Sequence, residues 1–481
     1  MKNGRLKLGI VGGLGARGGA DILNKLVAET PVKSEGDHRE ILFEQRPLSE
    51  PTPVSSADYA PIHRKFYVYD TLVRMEQSGC DAALLPCFIT HTFLDELATE
   101  LPIELISLGD AVAHELALNH SGARRAGILT TPYVRRNEFF ERLLSPNMAI
   151  VYPETQAEAS MLKAIYGANG FKSGGNTSDI LVQVEGAVRS LIKRGADVII
   201  PGMTELPILF NLADPSLREK IIDVNEVYAR FALERTTGRR PATFKIGIVG
   251  GVGPAATVDF LGKVIRATNA DRDQDHVKLI VEQNPQIPDR TENLIKGGPD
   301  PTIALYSTCK KLERAGAQVI AIPCNTAHAF IDRIQRHLET PIISILTETV
   351  VQIQNLNPTV KRVAVLATSG TIASQLYQAA LEEKGLVPVV PDTETQKLLM
   401  EVIYGPEGVK AGYSMGRCAV QLADVIKKVA SSGAEVAILG CTELPLVEFT
   451  DGDKPNILLI DPTDALAKAC VNAADIGPVT V

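Results

Sequence analysis

The chain is written twice, and this doubling limits what it can fold into before any local pattern is read. KLGIVGGLG at 7–15 returns as KIGIVGGVG at 245–253, so Lys7 and Lys245 stand 238 positions apart. The same shift relates Tyr166 to Tyr404, Thr204 to Thr442, Glu205 to Glu443 and Asp223 to Asp461, while Cys87 and Cys324 are 237 apart, which requires a one-residue indel. A period this long is an enzyme-sized unit, far above the repeat length of a solenoid. Two domains are therefore expected, 1–238 and 239–481, with a linker in TTGRRP at 236–241, where turn formers and charge interrupt the pattern.

Within each repeat, short β-branched runs bounded by glycine or proline alternate with longer amphipathic stretches, the signature of parallel strands joined by helices. In the second repeat, strands are expected at 245–249, 278–282, 318–322, 342–345, 362–366, 387–390, 435–439 and 457–460. They fall into two clusters separated near Thr340-Pro341. The expected fold class is α/β: two tandem repeats, each of two parallel-sheet lobes with the active-site cleft between them.

Composition removes several classes of partner. A hydrophobic share of 45% with 22% charged residues is that of a well-buried globular protein. The net charge is −8, and lysine and arginine are scattered, which argues against nucleic acid or an anionic membrane as partner. No apolar run approaches the ~18 residues of a membrane span, and the N-terminus moves directly into a strand and a glycine turn, so a cytoplasmic protein is expected. Seven cysteines, an odd number without short paired spacing, fit a reducing compartment.

Two of those cysteines carry the chemistry. Cys324 follows AQVIAIP and Cys441 follows EVAILG; each is then followed by a segment able to turn into a helix. In parallel α/β sheets, ligands bind at that strand-to-helix edge, and a helix start favours a thiolate. One such cysteine alone reads as an inert core thiol; two in matched settings read as function. His328, four residues after Cys324, would share its helical face and could polarise the sulfur or touch a carboxylate; the bland reading is a packing histidine. A zinc site built from Cys324, His328 and Cys441 is the rival, but C-x3-H is not a usual ligand spacing, so no metal is expected. GIVGGVGP at 247–254 departs from the dinucleotide fingerprint, so its glycines, Gly251 among them, serve a bound anion or a tight turn. Arg290 and Lys410 each offer a cation in a loop-like setting that could take a carboxylate, and Thr368 supplies a hydroxyl after a strand.

Taken in order, GIVGGVGP, PDRT, PCNTAH, ATSGT, IYGPEGVKAG and GCTEL give the second repeat a resemblance to the aspartate/glutamate racemase family over its whole length, and the GGVGP opening is similar to the aspartate branch. The resemblance implies a cofactor-independent reaction with Cys324 and Cys441 on opposite faces of the substrate. It implies that Asn325, Thr326 and Thr442 hold the amino acid and that Arg290 and Lys410 select an acidic side chain. It further implies that Cys324 deprotonates the D-enantiomer and Cys441 the L-enantiomer. Glu443 is a candidate proton partner for Cys441, or a helix-start carboxylate.

The first repeat resembles the family more weakly. Met203 stands for the second cysteine, Phe88 for the asparagine, and the constant shift places Thr52 where Arg290 was; Cys87, His91, Lys172 and Thr130 remain. Thioether sulfur cannot carry the proton, so this copy is expected to be a noncatalytic or regulatory one that packs on the second, with outer faces free to form a homo-oligomer. The competing functions are a related diacid decarboxylase or isomerase, and a sensor that binds acidic ligands without turnover.

Overall fold

A computed structural model describes residues 6–144, 148–235, 238, 243–450 and 455–476. The expected linker at 236–241 lies outside the described residues except for Gly238. The chain divides into two compact units, Met1–Thr243 and Phe244–Val481.

The first unit holds seven strands: β1 (Leu8–Val11), β2 (Ile41–Glu44), β3 (Ala82–Leu84), β4 (Glu104–Ile106), β5 (Arg125–Leu129), β6 (Ala149–Val151) and β7 (Val198–Pro201). They form one parallel sheet in the order β2-β1-β3-β4 and another in the order β6-β5-β7. A fourth neighbour of the second sheet is reduced to a single bridge between Ile199 and Ile221.

The second unit holds β8 (Lys245–Gly250), β9 (Lys278–Gln283), β10 (Val319–Ala321), β11 (Ile342–Ile343), β12 (Arg362–Leu366), β13 (Val387–Val389), β14 (Val436–Leu439) and β15 (Leu458–Ile460). Two parallel four-stranded sheets result, β11-β10-β8-β9 and β13-β12-β14-β15. All eight expected strands are present, but the lobe boundary differs from the expected Thr340-Pro341. Ile342 and Ile343 pair with β10 at the edge of the first sheet, and the chain changes lobe through the helix Ile345–Leu356. Central strands β8, β10, β12 and β14 are apolar and almost wholly buried, as strands covered on both faces must be.

Each unit ends where it began. The last helix of the second unit, Pro462–Ile476, packs on the helix Pro254–Ala267 and against β8 and β10 of the first lobe, placing Leu466, Ala467 and Cys470 in one core with Ile246, Ile248 and Phe260. Lys263 seals this return: its ammonium is paired with Asp259 and Asp461 and lies 2.6 Å from Thr463 Oγ1. The first unit repeats the device with Lys25, Asp21 and Asp223.

Candidate active site

Both strand-end turns of the second unit open on one narrow cavity. Cys324 and Asn325, beyond β10, supply one wall; Cys441, Thr442 and Glu443, beyond β14, supply the other. Arg290, Thr326, Thr368 and Lys410 line it too, so the expected site residues other than Gly251 and His328 come together.

The two sulfurs have partners of opposite charge. Arg290, in the first turn of the helix Arg290–Lys296, lines the cavity beside Cys324, close enough for a charge on that sulfur to raise the pKa of the guanidinium. Burial works against the guanidinium charge, but the sulfur and Asp289 outweigh it and hold the group charged above its ordinary range. Its Nη atoms also donate to the carbonyls of Pro288 and Val252, both at 3.1 Å. On the other wall the Cys441 sulfur donates to Glu443 Oε2 at 3.1 Å, and Thr442 Oγ1 donates to the same oxygen at 3.3 Å. Burial first, then the Glu443 charge, push the Cys441 thiol well above its ordinary value, with Lys410 opposing.

Lys410 is placed otherwise than expected. Its ammonium sits 2.5 Å from Glu443 Oε1 and over the Tyr404 ring, so its charge is already matched by a protein carboxylate. Gly253 makes room for that pairing: a Cβ there would fall 2.5 Å from Glu443 Oε1, at a φ of +127°. Arg290 is thus the cation with spare capacity. Its Nε and the Nδ2 of Asn325 are buried donors without a protein partner, a pair suited to carboxylate oxygens.

Two expectations are corrected. Both ring nitrogens of His328 are engaged by backbone: Nδ1 donates to the Cys324 carbonyl at 2.9 Å, and Nε2 accepts from the Ile345 N–H at 3.2 Å. Burial lowers its pKa to about 4, so the ring is a neutral brace for the turn and has no nitrogen left to polarise the sulfur. Gly251 is a turn glycine: its N–H donates to Thr257 Oγ1, and a Cβ would fall 2.4 Å from the Asn284 carbonyl carbon at a φ of +84°. Val252 is the residue of that loop that reaches the cavity.

Sequence reading missed four contributors. Tyr377 donates to Asn325 Oδ1 at 2.7 Å and aims the amide. Tyr404 donates to Thr291 Oγ1 at 3.4 Å, and Thr291 to Thr368 Oγ1 at 3.1 Å, a hydroxyl chain across the cavity mouth. Asp289 caps the Arg290 helix by accepting from the Glu292 N–H at 2.7 Å.

The first unit has the matching narrow cavity, lined by Cys87, Phe88, Ile89, Tyr166, Lys172, Met203, Thr204 and Glu205. His91 is wired as His328 is, between the Cys87 carbonyl and the Leu108 N–H, with a pKa lowered by burial to about 4. The constant shift misplaces two residues. Thr131, not Thr130, caps its helix as Thr368 does, because the indel extends through this stretch. A guanidinium is also present despite Thr52: Arg64, from the first turn of the helix Ile62–Gln77, donates to the Cys87 sulfur at 2.9 Å and pairs with Glu50 at 2.6 Å. Where Asn325 meets Tyr377, Phe88 packs on Phe140 with centroids 5.3 Å apart.

Among the described residues no cluster of three or more His, Cys, Asp or Glu is set to hold a metal, and no helix is long and apolar enough to cross a membrane.

Two lobes of parallel sheet per unit, with a polar cavity bearing cysteine at the strand ends, define a duplicated α/β protein of the two-lobed cleft type. The Asp/Glu/hydantoin racemase family model matches residues 11–232 and again 249–470, and the chain belongs to that family in both halves. It is 29% identical over 235 residues to the broad specificity amino-acid racemase RacX of Bacillus subtilis, covering 47% of this chain and 96% of that protein. It is 28% identical to a glutamate racemase of Koribacter versatilis, over 37% of this chain and 60% of that one. Among solved structures, the Picrophilus torridus aspartate racemase matches at 29% identity with a TM-score of 0.41, covering 48% of this chain and 94% of that one.

Proposed function

We propose that the second unit racemises an acidic amino acid, aspartate first and glutamate next, by passing a proton between Cys324 and Cys441 without a cofactor. The observation that carries this reading is the opposite polarity of the two sulfurs around one cavity. Cys324 stands beside the Arg290 cation; Cys441 donates to a carboxylate. One sulfur takes the α-proton, breaking C–H and forming S–H, while the other releases its proton to the opposite face. Two bases on two faces are what inversion requires. Arg290 and the free Asn325 amide take carboxylate oxygens and stabilise charge developing at the α-carbon in a site that excludes water. The first unit is a noncatalytic copy, because Met203 cannot carry a proton.

Incubation with L-aspartate in D2O tests the reading. Uptake of α-deuterium with loss of optical rotation supports it; a new product would favour a diacid decarboxylase or isomerase, and no change a sensor. Cys324→Ala or Cys441→Ala should lower the rate by about a hundred- to ten-thousand-fold. Full turnover in both variants, with loss in Cys87→Ala, would move the reaction to the first unit.

A further inference from the structure

The first unit keeps a cavity at the matching place but with a different charge balance. Lys172 is held by Glu205 at 2.7 Å, as Lys410 is by Glu443, but Arg64 is also partly neutralised by Glu50 where Arg290 keeps a free Nε. Its apolar content has grown: Phe88, Ile89 and Met203 stand where Asn325, Thr326 and Cys441 stand in the other copy. Arg64 keeps N–H donors for one carboxylate, but a second one, on the side chain, would face these apolar groups instead of amide and hydroxyl.

Glu205 points to what the cavity does accept. Its counterpart Glu443 receives an S–H from Cys441 and an O–H from Thr442. Met203 has no proton to give, and Thr204 Oγ1 turns away to donate to the Pro86 carbonyl at 3.1 Å. Glu205 is left buried with Lys172 as its recorded partner, its side chain 4% exposed. A buried carboxylate short of donors carries a penalty that a cationic N–H group relieves. On the facing wall Arg64 spends three of its five N–H donors on Cys87 and Glu50, and among the described residues the Thr131 hydroxyl proton has no acceptor.

From this arrangement we infer that the first unit is a second amino acid site, which holds a zwitterion with an uncharged apolar side chain and does not invert it. The α-ammonium meets Glu205, the α-carboxylate meets Arg64 and Thr131, and the side chain lies along Leu14, Ile89 and Met203. The inference rests on reading the second unit's cavity as an amino acid site.

Cys87 supplies the probe, since it alone of the seven cysteines is only half-buried. Full-length protein is alkylated with iodoacetamide, and labelling at Cys87, Cys324 and Cys441 is followed by peptide mass spectrometry with and without L-leucine or L-aspartate. Saturating L-leucine should slow Cys87 labelling at least about fivefold, and aspartate should not. Glu205→Gln should remove the protection. A double variant, Glu50→Gln with Arg64→Met, should also remove it without leaving a buried charge unpaired. Unchanged Cys87 labelling in L-leucine, equal protection by aspartate, or protection that survives Glu205→Gln would each overturn the inference. Aspartate protection at Cys324 and Cys441 reports on the other cavity, so each reading can fail without the other.

Discussion

Glu443 Oε2 accepts the Cys441 proton across 3.1 Å while Oε1 of the same carboxylate holds Lys410. The residue is therefore a junction between a thiol and an ammonium, and its two neighbours pull the thiol in opposite directions. Charge on Glu443 disfavours the thiolate; charge on Lys410 favours it.

That opposition predicts a paired pH shift. If Cys441 acts as proton donor, activity falls on the alkaline side as the thiol ionises. Glu443→Gln removes a negative neighbour and should move this limb to lower pH by roughly one unit, whereas Lys410→Met should move it upward. Because a racemase has an equilibrium constant of one, the limb is read in kcat/KM with either enantiomer. A common direction in both variants would be incompatible with the junction.

Among the described residues, the Tyr377 hydroxyl is the donor to the Asn325 carbonyl oxygen. Tyr377→Phe should cost about 1–3 kcal/mol in urea unfolding by leaving a buried acceptor unpaired, and should raise KM as the amide loses its aim. An unchanged KM would separate Asn325 from substrate binding.

In the first unit the same place is filled by Phe88, Phe140 and Val112, all buried. Asn325→Phe alone should overpack the second unit by about 1–3 kcal/mol. In the second unit Thr349 Oγ1 accepts from the Tyr377 hydroxyl at 3.3 Å, at the place of Val112, so adding Tyr377→Phe and Thr349→Val should recover most of that loss, while activity stays abolished. Purely additive costs would show that the three positions are not coupled.

His91 and His328 predict acid sensitivity. Their folded pKa values near 4 lie below the unfolded value of about 6.5, so both rings are neutral in both states above that pH and the stabilisation is complete. As pH falls from about 6.5 towards 4 the unfolded chain takes up protons first and stability is lost, by about 3 kcal/mol per ring at the limit. Urea midpoints across this window should drop for the native protein and drop less for His328→Gln.

Much of the scaffold was legible because β-branched runs and glycine turns are local signals. The eight strands of the second unit emerged this way, as did both cysteine turns. Contacts between residues far apart in sequence were not legible. Lys410 and Glu443 are 33 positions apart, and each was assigned a separate role that their ion pair combines. Arg64 was hidden because a constant shift looks for a replacement at the same backbone position, whereas a long side chain on a neighbouring helix reached the same sulfur. Phe88 is legible as a change from Asn325; its companion Phe140 becomes legible only when the 237-residue shift is carried beyond Cys87, which pairs it with Tyr377.

The return of the final helix to the opening lobe bears on how the protein is made. Strands β8, β10 and β11 lack part of their cover until Pro462–Ile476 has been synthesised. The second half therefore cannot complete its hydrophobic interior before that helix has left the ribosome. The first half is finished by the helix Val224–Leu233, so it can mature while its sister is still being translated.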